Sequence, residues 1–169
     1  MPLVIPTERP ELILRQFIPE DSRPLFELIE RNRAHLSKYL DDTSDKYPDF
    51  DSVLRSMTYP SKPEKLRFGV WDGEVLVGTV NLLPLHRLAV LGYWVGAEYT
   101  KKGYATTAAQ ALCQYANDIL GLGQIIAFVH KENFTSQGVL QRCGFESRGK
   151  ASLTTETALV FKRQPRRPS

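Results

Sequence analysis

Gly92-Tyr93-Trp94-Val95-Gly96-Ala97-Glu98-Tyr99-Thr100-Lys101-Lys102-Gly103-Tyr104-Ala105-Thr106-Thr107-Ala108 is the stretch that decides the fold. Its first residues end an apolar strand, expected over Ala89 to Val95. A short loop with two lysines and a glycine follows. The loop opens directly into a segment in which Ala105, Ala108, Ala109, Leu112, Ala116 and Ile119 recur at helical spacing, and Gly121 stands where that helix is expected to stop. Free backbone N–H groups at a helix start, the helix dipole and the Lys101 and Lys102 ammonium groups together make an anion site. A phosphorylated ligand fits this junction, and so does the plainer reading of a basic turn before a helix. The residues alone leave both open.

Working outward, Leu12 to Phe17 reads as a first strand ending before Pro19. Asp21 and Ser22 offer caps for a helix carrying Leu25, Leu28 and Ile29, and a second short helix is expected from Asn32 to Leu40. Asp41 to Asp51 is acidic and rich in turn formers, which predicts a loop. Arg67 to Trp71, the turn Asp72-Gly73, and Glu74 to Val80 give the clearest hairpin signal in the chain. Ile125 to Val129 suits a buried parallel strand, Asn133 to Cys143 a helix, and Phe145 to Ser147 with Thr157 to Lys162 a closing strand pair. The order strand, helices, antiparallel meander, helix, strand, helix, strands predicts an α/β fold. It is one domain with a mixed, mostly antiparallel sheet flanked by helices.

The 169 residues can bury a full core without disulfides or a structural metal. The net charge of +3 is placed by the sequence rather than spread over it: Lys162, Arg163, Arg166 and Arg167 account for the excess, leaving residues 1–161 near neutral. Residues 1–161 are therefore expected to be the folded domain and residues 162–169 a basic tail. That tail is either a nucleic-acid arm or a solvated end, and solvated ends are the commoner case. Cys113 and Cys143, with no C-x-x-C pair, read as reduced core thiols of a cytoplasmic protein. No segment has the length or hydropathy of a membrane span or a signal peptide. His35 and His130 are too far apart in sequence to suggest a metal pair, so no metal is expected.

Walker A, G-x-G-x-x-G, H-E-x-x-H and G-x-S-x-G sequences are all absent, which removes the usual triphosphate, dinucleotide, zinc-protease and serine-hydrolase readings. What is present resembles the GNAT superfamily of acyl-CoA N-acyltransferases. Thr100-Lys101-Lys102-Gly103-Tyr104-Ala105 matches that family's Q/R-x-x-G-x-G/A junction except at the first position. Asn133-Phe134-Thr135-Ser136 resembles its N-x-x-S helix start, and Gly144-Phe145-Glu146-Ser147-Arg148-Gly149 its G-F-x-x-x-G strand entry. Leu12 to Arg15, Pro19-Glu20-Asp21 and Asn32 to Leu36 resemble the branch containing the Rim-type ribosomal-protein acetyltransferases. The likeness spans Glu11 to Lys162.

The resemblance implies acetyl-CoA as cosubstrate and a direct transfer of its acetyl group to a primary amine. Backbone amides from Lys101 through Gly103, Tyr104 and Ala105 to Thr106 would hold the pyrophosphate, with Lys101 and Lys102 adding charge. Trp94 and Val95 would expose backbone groups to the pantetheine arm, and Val95 would stabilise the thioester oxyanion. Thr100 departs from the family pattern and lacks the reach of Gln or Arg. Asn133 and Ser136 have a purely structural reading as a helix cap. By resemblance Asn133 also contacts the cosubstrate and Ser136 protonates the departing thiolate.

A proton acceptor for the amine is less visible, because Ala89-Val90-Leu91 stands where the resemblance would put a carboxylate. His86 is the candidate by its ordinary pKa, although a lone histidine in a turn is more often structural. The front-end likeness implies a protein N-terminal α-amine as acceptor, such as a ribosomal protein's. The rival acceptor is a small amine, a polyamine, amino acid or aminoglycoside, which an acidic pocket from Asp41, Asp42, Asp45 or Asp49 would favour. A rival of another class is a non-catalytic acyl-CoA- or RNA-binding module. Nothing in the sequence fixes the oligomeric state.

Overall fold

The computed structural model describes residues 1–39, 41–151 and 157–165. Eight strands form a single sheet: β1 (Val4–Pro6), β2 (Leu12–Gln16), β3 (Leu66–Asp72), β4 (Val75–Leu85), β5 (Leu88–Val95), β6 (Gln124–His130), β7 (Glu146–Lys150) and β8 (Ala158–Arg163). Their order is β1-β2-β3-β4-β5-β6-β8-β7. Every neighbouring pair is antiparallel except β5 with β6. The helices are α1 (Ser22–Arg31), α2 (Arg33–Leu36), α3 (Thr43–Lys46), α4 (Phe50–Thr58), α5 (Tyr104–Asp118) and α6 (Phe134–Arg142).

Alternation along the strands supplies both faces of the sheet. Leu12 and Leu14 join Phe68, Val70, Val80 and Leu82 under the Ala108, Ala109, Leu112 and Ala116 face of α5. Ile13, between them, packs with Leu25, Leu28, Ile29, Val53 and Trp71 on the side covered by α1 and α4. The sheet is thus a shared wall between two apolar layers.

The predicted hairpin, meander, crossover helix and final strands are all present. One sequence expectation fails at Asp41 to Asp51. Asp49 accepts from the Ser52 N–H at 2.8 Å while the Ser52 hydroxyl faces the Asp49 N–H at 3.3 Å, a capping box that starts α4. Residues that look like a loop are helix starts. The second helix is shorter than expected, Arg33–Leu36, and Leu40 lies outside the described residues.

The basic tail also begins later than its charge suggests. Lys162 and Arg163 are the last residues of β8, registered against Ile126 and Ile125. Arg163 is buried because its guanidinium is spent on acceptors: Nε donates to the Cys143 carbonyl at 2.9 Å and Nη1 to Asn117 Oδ1. Arg166 and Arg167 lie outside the described residues. No helix among the described residues is long and apolar enough to cross a membrane.

Candidate active site

The site begins where the sheet comes apart. β5 is registered with β4 over its whole length, from Leu88 to Val95, but with β6 only at Leu88, Ala89 and Val90. Beyond Val90 the two strands diverge, and a cavity of about 400 Å³ opens between Leu91–Val95 of β5 and Ala127–His130 of β6. The Gly96 N–H donates to the Val77 carbonyl at 2.9 Å, so by strand alternation Val95 turns its N–H and C=O the other way, into the wedge. There the Val95 carbonyl meets Nε2 of His35 at 3.2 Å. Gly78 is needed across from this point, since a Cβ there would come within 2.3 Å of the Trp94 carbonyl oxygen.

α5 starts at the mouth of the wedge. Gly103 is its N-cap at φ +79°, a left-handed conformation that glycine adopts without strain, and Lys101 is left-handed as well at φ +62°. Thr107 is the first residue of this region whose N–H reaches back to Gly103, leaving the Tyr104, Ala105 and Thr106 amides as first-turn donors. Lys101, Thr100 and Ala105 line the cavity. Lys102 instead turns its ammonium toward the Tyr99 ring, while its carbonyl accepts from Arg9 at 2.8 Å. The Tyr104 side chain is core, its hydroxyl donating to Asp72 at 2.5 Å, so only its backbone faces the anion site. Thr100 spends its hydroxyl on the Ala97 carbonyl at 2.9 Å. Arg142, unmarked in the sequence, reaches Thr106 Oγ1 at 3.2 Å and adds a cation beside the helix start.

α6 supplies the opposite wall. Asn133 Oδ1 accepts from the Ser136 N–H at 3.2 Å, so the capping reading holds, and both side chains also line the cavity. The Ser136 hydroxyl lies 2.7 Å from the Tyr93 hydroxyl, which also donates to the Ser136 carbonyl at 3.1 Å. Burial pushes the Tyr93 phenol above its ordinary pKa, against the opposing effect of the Ser136 hydrogen bond. It therefore remains a neutral donor across the neutral range.

Ser136, Asn133, Trp94, Val95, Lys101 and Ala105 are brought together. His86 is not. It sits at φ +52° in the turn between β4 and β5, at the end of β5 remote from Val95. At roughly 3.3 Å per strand residue, β5 runs about 23 Å from that end to Val95, and His86 is not among the residues lining the cavity, so it is no proton acceptor for this site. His35, His130 and Asp41 line the cavity in its place. The two histidines share the cavity without forming a metal cluster: His35 holds Val95, and His130 accepts from the Glu132 N–H at 3.1 Å while packing on Tyr39. Among the described residues no group of three or more potential ligands could hold a metal ion.

A first-turn anion site feeding a wedge lined by backbone polar groups suits a long phosphorylated thioester. Comparison with known proteins agrees, because a family model described as an acetyltransferase (GNAT) domain matches residues 11–146. The chain belongs to the GNAT acetyltransferase family. It is an acetyl-CoA-dependent N-acetyltransferase, and the wedge fits the thioester arm of that cosubstrate. Among relatives of this acetyltransferase, YdaF of Bacillus subtilis (strain 168), which carries the name "Putative ribosomal N-acetyltransferase", is 27% identical over 159 residues, covering 83% of this chain and 80% of YdaF. The spermidine N(1)-acetyltransferase of Vibrio cholerae is 26% identical over 143 residues, covering 82% and 81%. Among solved structures, the ribosomal L7/L12 alpha-N-protein acetyltransferase RimL in complex with coenzyme A superposes with a TM-score of 0.84 at 16% identity, covering 96% of this chain and 98% of that one. That likeness is one of fold.

Proposed function

We propose that this GNAT acetyltransferase acetylates an N-terminal α-amine of a protein, of the kind named for RimL, in keeping with the ribosomal acceptor in YdaF's name. The observation that carries the reading is the charge on the acceptor side of β5. A polyamine would call for converging carboxylates. A second cavity, on the other side of β5 from the wedge, is lined by Asp41 and Asp42 of the four acidic candidates together with Lys46, Lys65 and Arg67. Asp49 is committed to capping α4. An α-amine, with a pKa of about 8 against about 10.4 for lysine, needs only modest help to lose its proton.

In the transfer the neutral amine attacks the thioester carbonyl carbon, a C–N bond forms, the C–S bond breaks, and the acetyl group moves to nitrogen. The Ser136 hydroxyl gives its proton to the departing sulfur and is reprotonated from solvent, with the Tyr93 hydroxyl at 2.7 Å holding it in place. The Val95 N–H and the first turn of α5 bind and orient. Asp41 lines both cavities, which supports its carboxylate as the acceptor, directly or through water, of the amine's proton.

The test is release of free thiol from acetyl-CoA with three acceptors: a peptide with a free N-terminus, the same peptide with a blocked N-terminus and an internal lysine, and spermidine. Turnover with the first alone supports the reading. Turnover with spermidine alone, or with the blocked peptide as fast as the free one, overturns it.

A further inference from the structure

A second cavity of about 230 Å³ lies across β5 from the cosubstrate wedge, sharing Asp41, Gly92, Tyr93 and Trp94 with it. Its charged lining is not balanced. Asp42 and Lys46 pair with each other at 3.2 Å. Among the described residues Asp41 accepts only the Thr43 N–H, at 2.7 Å. Arg67 is held by neutral oxygens, the Ser56 carbonyl at 3.0 Å and the Tyr47 hydroxyl at 3.2 Å, and the half-buried Lys65 ammonium has no ion-pair partner among the described residues. Burial and the neighbouring Lys46, Arg67 and Lys62 hold that ammonium below the usual lysine range despite the opposing pull of the Asp42 carboxylate, and a further anion would relieve it. One carboxylate at the junction with the wedge and two cations elsewhere in the lining that have no salt-bridge partner among the described residues form a complementary pattern for one class of ligand.

Resting on the α-amine reading above, we infer that this cavity selects an acceptor whose amine is followed by a carboxylate, the amine lying against Asp41 and the carboxylate against Lys65 and Arg67. Its volume falls below that of the usual pocket for a drug-sized ligand and suits a residue or two at the end of a chain. The carboxylate can come from an acidic side chain of a peptide or from the α-carboxyl of a free amino acid.

The experiment compares kcat/KM for pentapeptides with free N-termini that differ only in Asp, Asn or Lys at the second position, alongside free serine and aspartate. The Asp peptide is expected to exceed the Asn peptide about tenfold, with the Lys peptide lower still, in line with a charge-assisted contact. Lys65→Met is expected to bring the Asp-to-Asn ratio toward one, and Lys65→Glu to invert the order of the Asp and Lys peptides. CoA affinity measured by calorimetry reports that each variant is folded. Equal rates for all three peptides would overturn the inference while the α-amine reading stands. Free amino acids outpacing every peptide would keep the carboxylate subsite and overturn the protein acceptor. Thiol release with spermidine alone would overturn both.

Discussion

Replacing Ser136 by alanine separates a catalytic hydroxyl from a helix-cap residue. The cap itself survives the change, because Asn133 Oδ1 accepts from the backbone N–H of residue 136. The side chain's hydrogen-bond partner is the Tyr93 hydroxyl at 2.7 Å, so its loss should cost the fold about 1 kcal/mol. The loss to the reaction is of another size. A hydroxyl that protonates the leaving thiolate is worth ~10²–10⁴ in rate, or roughly 3–5 kcal/mol of barrier. Single-turnover thiol release at saturating acetyl-CoA and acceptor should therefore fall at least 10²-fold, with CoA affinity unchanged. Tyr93→Phe should fall about tenfold, since the serine keeps its proton but loses the oxygen that fixes its rotamer. The double variant should be no slower than Ser136→Ala alone, because the two hydroxyls act as a unit. A fall under threefold in Ser136→Ala, or a double variant whose loss equals the product of the single losses, would refute the reasoning.

Lys101→Gln should weaken CoA binding about tenfold by calorimetry and leave the rate with a short acetyl thioester lacking phosphates unchanged. Asn32→Ala strips the part-buried Ala97 N–H of its acceptor at 2.7 Å and the buried Leu28 carbonyl of its donor at 2.9 Å, and should lower stability by roughly 1–3 kcal/mol, a drop in Tm of about 2–12 °C. His86→Ala should leave kcat/KM within about twofold, whereas a large loss would return His86 to the mechanism. Burial pushes the Cys113 thiol up to about 12 and the Cys143 thiol up to about 11, so both stay protonated in the fold. Their contribution to stability is whole below about pH 9 and is lost as pH rises toward those values. The urea midpoint should therefore fall between pH 8 and pH 10.5, and neither thiol should react with an aromatic disulfide until the chain unfolds.

The junction from Gly92 to Ala108 was legible because strand, loop and helix each leave a local pattern, and the first-turn amides follow from the helix start alone. Asn133 and Ser136 were legible for the same reason, as a cap whose spacing also resembles a family motif. Phe50, Val53, Leu54 and Met57 have helical spacing too, but the acid-rich approach to them read as loop, and the Asp49 cap shows that the same residues begin helices. His35 and Asp41 could not be placed at the wedge from sequence, where the first stood only as half of a rejected metal pair and the second only among the acids of a rival small-amine pocket. They reach the wedge only because α1 ends at Asn32, whose amide ties Leu28 to Ala97 and so sets the α2 region beside the end of β5. His86 failed in the opposite way: it is near β5 in sequence and at its wrong end in space. Charge misled at Lys162 and Arg163, where a run of basic residues includes a buried guanidinium that terminates a strand.

The parting of β5 from β6 has a colloidal consequence. A continuous sheet has two edges, here β1 and β7, but one split past Val90 acquires two more within its own body. Unpaired strand edges are templates for another chain. A pantetheine arm, carrying amides of its own, would fit that gap as a surrogate strand. Such a ligand would seal the seam, so aggregation on warming, followed by light scattering, should set in at a higher temperature as acetyl-CoA is added.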